Sequence, residues 1–78
     1  MDKIDKEIYG LIANILNIPI DKISLNTGID NQSDWDSLNH ILIMNEIEKV
    51  FGISLLPNDV INMINIKSIS NNLKKYIK

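Results

Sequence analysis

Three features of this 78-residue chain predict an all-α fold: a four-helix bundle with a long loop between helices 1 and 2 and a short third helix. There is no cysteine, so neither a disulfide nor a thiolate-bound metal can staple so small a chain, and apolar packing has to hold it together. Hydrophobic residues make up 45% of the sequence, chiefly Ile and Leu, and much of this apolar content recurs at helical spacing. Caps and breakers then divide that pattern into four helical segments of one domain, residues 1–78.

In residues 3–16, Ile4, Ile8, Leu11, Ile12 and Ile15 form one apolar face, with Asp2 placed as N-cap. Pro19 closes off any continuation. Residues 17–33, NIPIDKISLNTGIDNQS, show neither a helical nor a strand period. Ile18, Ile20, Ile23, Leu25 and Ile29 are spaced through them, which predicts a connection pinned onto the helices rather than a free linker. Asp34 or Asp36 caps the second helix, which runs to about Phe51 and stops at Gly52.

At about 100° per residue, His40, Ile43, Met44, Ile47, Val50 and Phe51 share the core side of that helix. Leu38, Leu42, Asn45 and Lys49 face away, with Ile41 and Glu48 flanking. Pro57 opens a third helix over residues 58–64, using Val60, Ile61 and Ile64. Ser68 is expected to cap the last helix, whose stripe is Ile69, Leu73, Tyr76 and Ile77.

No apolar run approaches the ~20 residues that span a bilayer, and the start MDKIDKEI is too charged for a secretion signal. A cytoplasmic monomer without membrane insertion is expected. The net charge is −2, unevenly spread: Asp34, Asp36, Glu46 and Glu48 outnumber Lys49, whereas Lys67, Lys74, Lys75 and Lys78 make the end of the chain basic. That tail is short and reads as cations near a helix C-terminus, so nucleic acid is not an expected partner.

The stretch DWDSLNHI, residues 34–41, places Ser37 where a polar loop gives way to an apolar periodic segment. Nucleophilic catalysis would need a base for its proton, and the one histidine, His40, follows three residues later on the same helix. No orienting acid, oxyanion-hole glycines or nucleophile elbow accompanies it. One histidine and scattered carboxylates give no metal-ligand spacing either. What remains is a serine in the first turn of a helix, where free N–H groups and the dipole favour an attached or bound phosphate.

DWDSLNHILIMNEIEKVFGI resembles the prosthetic-group helix of acyl carrier proteins, centred on their Asp-Ser-Leu motif. The likeness extends over essentially the whole chain: NTGID ahead of the motif, VFGISL at the end of the second helix, Pro57, and SISNNLKKYI in the last helix fall in the family order. The resemblance implies a bundle of acyl-carrier type and no catalytic activity of its own. It also implies that Ser37 receives 4′-phosphopantetheine, drawn from coenzyme A, from a phosphopantetheinyl transferase (carrier-protein synthase). The thiol of that group would carry acyl intermediates as thioesters between acyl-loading and acyl-accepting enzymes of fatty-acid, polyketide or another specialised acyl pathway.

Carriers of bulk fatty-acid synthesis are usually strongly acidic along this helix, whereas here Leu38, Asn39, Leu42, Asn45 and Lys49 face outward. Asp36, Leu38, Ile41 and Leu42 are therefore the expected partner-binding residues, and a dedicated pathway is the expected setting. An aminoacyl or peptidyl carrier is the nearest alternative, and an unmodified helical interaction module with Ser37 as a simple cap is the more distant one. Trp35 reads as a loop aromatic covering the edge of the core, His40 as a packing residue and Met44 as a core filler.

Overall fold

A computed structural model describes residues 2–77, so Lys78 of the basic tail lies outside the described residues. The first helix begins where its cap dictates. Asp2 is extended and its Oδ1 accepts the Asp5 N–H at 2.8 Å, which starts α1 (Lys3–Leu16). That bond holds the Asp2 carboxyl below its ordinary pKa, assisted by Lys74 3.4 Å away on the last helix. The helix ends at Asn17, which takes the left-handed conformation (φ 57°) that Asn tolerates better than most residues, two positions before Pro19.

The long connection is pinned, but not by every isoleucine in it. Residues Ile20–Lys22 form a single 3₁₀ turn, after which Ile23 is buried, while Ile18 and Ile29 pack partly against the core. Ile20 and Leu25, expected to pack inward, are exposed. The tight turn sends Ile20 outward, and Leu25 grips the last helix with its carbonyl, which accepts the Lys67 N–H at 2.9 Å.

Two more backbone bonds complete this clamp, Ile66 N–H to the Thr27 carbonyl at 3.0 Å and Ile29 N–H to the Ile64 carbonyl at 2.9 Å. Gly28 sits between them opposite Asn65, so close that a Cβ there would lie 2.3 Å from the Ile64 carbonyl oxygen. Only glycine fits at that position.

The second helix, α2 (Ser37–Phe51), buries Ile43, Met44 and Ile47 and half-buries His40 and Phe51, as the periodicity predicts. Val50 departs from the expected face and is 46% exposed. It lies at the edge of the apolar stripe and borders a cleft between α1 and α2 where Gly10 contributes no side chain.

The third helix, α3 (Pro57–Asn62), starts one residue earlier and stops two residues earlier than its sequence suggests. Beyond it the chain turns at Met63, which is completely buried, while Ile61 and Ile64 remain exposed. The cap of the last helix, α4 (Ile66–Tyr76), is Asn65 rather than Ser68. Asn65 Oδ1 accepts the Ser68 N–H at 2.8 Å and Ser68 Oγ accepts the Asn65 N–H at 3.1 Å, a reciprocal capping box that makes Ser68 the third helical residue.

Between these helices Ile8, Ile12, Ile43, Ile47, Met63, Ile66, Ile69 and Leu73 form a continuous core with Trp35. Ser70 Oγ donates to Asp5, tying α4 to α1. The Tyr76 hydroxyl donates to the Asp59 carboxylate, which raises its pKa, and accepts the Leu56 N–H at 3.0 Å, so the end of α4 holds the start of α3. Among the described residues no helix is long and apolar enough to cross a membrane.

The two alanine substitutions at Gly28 and Gly10 should act in opposite directions. Gly28→Ala forces the clamp apart and is expected to cost about 1–3 kcal/mol, the range for overpacking. Gly10 lies inside α1, and a methyl group there would meet nothing within 4 Å, so Gly10→Ala should stabilise by about 0.5–1 kcal/mol. Urea midpoints of the two variants against the parent chain check both signs.

Candidate functional site

Ser37 is the first residue of α2, and the turn it stands on is fixed from both sides. Asp36, extended at φ −99° and ψ −175°, accepts the Asn39 N–H on Oδ1 at 2.8 Å, and its carbonyl accepts the His40 N–H at 2.8 Å. Asn39 Nδ2 donates back to the Asp34 carbonyl at 2.7 Å. The two acids that sequence could not rank therefore divide the work. Asp36 is the cap, while Asp34 contributes its backbone and its carboxylate meets, among the described residues, Gln32 Nε2 at 3.3 Å.

Beneath the turn lies Trp35, the largest fully buried side chain, at 1% exposure. Its backbone N–H donates to the Gln32 carbonyl at 2.9 Å, and its indole passes under the start of α2 to reach His40. Nε1 of Trp35 is 3.0 Å from Nδ1 of His40, with the two rings stacked at an interplanar angle of 29°. An indole N–H can only donate, so Nδ1 must accept, and the remaining ring hydrogen belongs on Nε2. That nitrogen donates to the Val60 carbonyl of α3 at 3.2 Å.

Trp35 at the core edge and His40 as a packing residue were both legible in sequence; the bond joining them was not. With both ring nitrogens engaged elsewhere, His40 is not held as a base for Ser37.

Ser37 is exposed on the rim of an open cleft of about 480 Å³ lined by residues 29–33 with Trp35 and Asp36. The helix offers no intrahelical acceptor to the N–H groups of Ser37 and Leu38, and its positive end lies here, an arrangement that favours a phosphate on the serine. Asp36 takes the Asn39 N–H for itself, so the cap and a phosphate would use different donors.

Of the expected partner-binding residues, Leu38 is 67% exposed, Ile41 57% and Leu42 46%, and Asp36 is also at the surface. Ile61 on α3 is exposed as well, and His40 ties α3 to the first turns of α2. Among the described residues no group of three or more His, Asp or Glu side chains is gathered as a metal would require.

Comparison with known proteins bears on the same serine-bearing helix. A family model described as a phosphopantetheine attachment site matches residues 6–73. A curated acyl carrier protein of Azobacteroides pseudotrichonymphae genomovar. CFP2 is 29% identical over 59 residues, covering 76% of this chain and 69% of that protein. A solved structure described as a candidate acyl carrier protein from Mycobacterium tuberculosis superposes with a TM-score of 0.83 over 94% of this chain and 97% of that one. At 20% identity, that superposition is a likeness of fold.

The division between the two acids is open to a direct check. Asp36→Ala removes the acceptor of the Asn39 N–H and should cost about 0.5–2 kcal/mol, whereas Asp36→Asn should cost only a few tenths because Asn also caps. Asp34→Ala keeps the carbonyl that matters and should leave the urea midpoint nearly unchanged. An Asp34→Ala loss equal to that of Asp36→Ala would contradict the assignment of the cap.

Proposed function

The chain belongs to the phosphopantetheine attachment-site family, the acyl carrier proteins, and on that premise we propose that Ser37 Oγ carries its 4′-phosphopantetheine arm. The observation that carries the proposal is the setting of Ser37: exposed, first in a 15-residue helix, on a turn braced by Asp36, Asn39 and Trp35. Ser70 is buried and bonded to Asp5, and Ser68 is committed to the α4 capping box.

In the proposed modification a phosphopantetheinyl transferase acts on coenzyme A. The Ser37 oxygen forms a bond to phosphorus as the pyrophosphate bond of coenzyme A breaks, 3′,5′-adenosine bisphosphate leaves, and the serine proton passes to the transferase. Once attached, the arm supplies the thiol that a chain without cysteine lacks, and acyl groups ride on it as thioesters. The chain's own part is presentation. It exposes the hydroxyl, offers the backbone N–H groups of the first turn to the phosphodiester, and keeps α2 rigid behind it.

The acyl-loading and acyl-accepting partners of this cytoplasmic, monomeric carrier dock chiefly through apolar contact. Leu38, Ile41 and Leu42 stand exposed beside Ser37, and one of the few acids on α2 is already engaged: Glu48 Oε2 accepts the Leu55 N–H at 2.7 Å. Glu46 is the other carboxylate of the helix body, with no hydrogen bond or ion pair among the described residues. This balance favours a dedicated acyl pathway over a housekeeping role that docks by charge.

Two experiments test these assignments. Incubated with coenzyme A and a broad-specificity phosphopantetheinyl transferase, the parent chain should gain one phosphopantetheine by intact mass. Ser37→Ala should gain none while keeping its helical circular dichroism; transfer to the alanine variant would place the arm elsewhere. Docking is tested by the rate of acyl loading. Burying a leucine contributes about 1.5–3 kcal/mol, whereas an exposed charge is screened beyond ~8 Å at physiological salt, so Leu42→Ala should weaken binding to the loading enzyme more than Glu46→Ala. The reverse order, with the Glu46→Ala loss vanishing as salt is added, would make docking electrostatic.

A further inference from the structure

Presentation of Ser37 leaves one polar side chain unexplained. His40 is the one histidine of the chain, half-buried, and it joins two parts of the molecule that no other side-chain hydrogen bond connects among the described residues: the indole of Trp35 through Nδ1 and the Val60 carbonyl through Nε2. We propose that His40 is a positioning residue for transfer onto Ser37, holding the attachment turn in one conformation from below and locking α3 against it. This rests on Ser37 being the serine that takes the arm.

Trp35 is separated from Ser37 by Asp36 alone, so a displacement of the indole moves the backbone that sets the direction of the serine hydroxyl. The cap and Asn39 hold that backbone on the solvent side. The Trp35 N–H is held by the Gln32 carbonyl, and the one hydrogen bond of the indole itself among the described residues is that to His40, which fixes the angle of the ring. Without an acceptor the indole N–H would be buried unpaired, which drives the ring to find water or another partner.

The second nitrogen matters for α3. This helix has six residues and no side-chain cap at its start. Tyr76 and Asp59 hold its beginning, and His40 holds the carbonyl of Val60 near its end. A purely apolar residue at position 40 could fill the same space, but it would fix neither the orientation of the indole nor the position of α3.

The test compares the parent chain with His40→Leu, which keeps bulk and removes both bonds, and His40→Gln, which retains an acceptor and a donor. Trp35→Phe removes the same indole bond from the other side, and so keeps the question decidable should the leucine variant fail to fold. Two readouts are taken: exchange of the Trp35 indole N–H by NMR on the unmodified chains, and kcat and KM for phosphopantetheine transfer from coenzyme A.

Indole exchange should accelerate in His40→Leu and return toward the parent rate in His40→Gln. The kcat of transfer should fall about tenfold in His40→Leu and Trp35→Phe, as for a misplaced reacting group, with KM nearly unchanged and recovery in His40→Gln. Parent-like kcat in a folded His40→Leu or Trp35→Phe chain would overturn the positioning role while leaving Ser37 as the site. Recovery of slow indole exchange without recovery of kcat in His40→Gln would overturn it too. A parent chain that takes no arm on Ser37 would overturn the attachment reading itself and the positioning role with it.

Discussion

A buried indole must find an acceptor for its N–H, and in this chain the acceptor of Trp35 is the single imidazole five residues later. That requirement sets the path of the chain from the long loop into α2. Trp35 cannot turn outward without exposing the largest buried side chain of the molecule, and His40 cannot shift along the helix without breaking a second bond to α3. The loop before it is equally constrained, because Thr27 and Ile29 are bonded through their backbones to Ile66 and Ile64, which brings Gly28 between them too close to Ile64 and Asn65 for any side chain. The long connection between α1 and α2, residues 17–36, is thereby ordered at its middle and at its end.

Rigidity at that point has a purpose in a carrier. In the proposed reading the chain contributes geometry: an exposed hydroxyl at a helix start, beside an exposed apolar surface. The polar ties of the turn all point inward or along the backbone, through Asp36, Asn39 and His40, and leave the outer face to Leu38, Ile41 and Leu42. Glu48 follows the same pattern. It lies on the flank of α2 and turns its carboxylate to the Leu55 N–H, closing the turn after the helix.

Elements defined by local rules were legible in the sequence. The spacing of Ile8, Ile12, Ile43 and Ile47 marks the buried faces of α1 and α2, and Asp2 and Gly52 mark helix ends because caps depend on neighbours a few residues away. The place of Ser37 in the first turn of α2 was legible for the same reason. What could not be read depends on distant partners. Ser68 has the chemistry of a cap, yet Asn65 takes that place because the strand-like bridge with Gly28 holds it extended, one turn earlier. Val50 has the right helical angle but borders the cleft left by Gly10, and Met63 is buried only because α3 ends before it. The Trp35–His40 bond spans five residues across a loop–helix junction, a separation at which no sequence periodicity brings two side chains together.

The braced turn is tested most directly by backbone ¹⁵N relaxation across residues 34–40 of the unmodified chain. If Trp35, Asp36 and Asn39 hold Ser37 as described, amide order parameters there should match those in the middle of α2, at about 0.85. Values below about 0.6 at Asp36 and Ser37, with α2 still ordered from His40 onward, would show a mobile attachment turn and contradict presentation of the serine by a rigid brace.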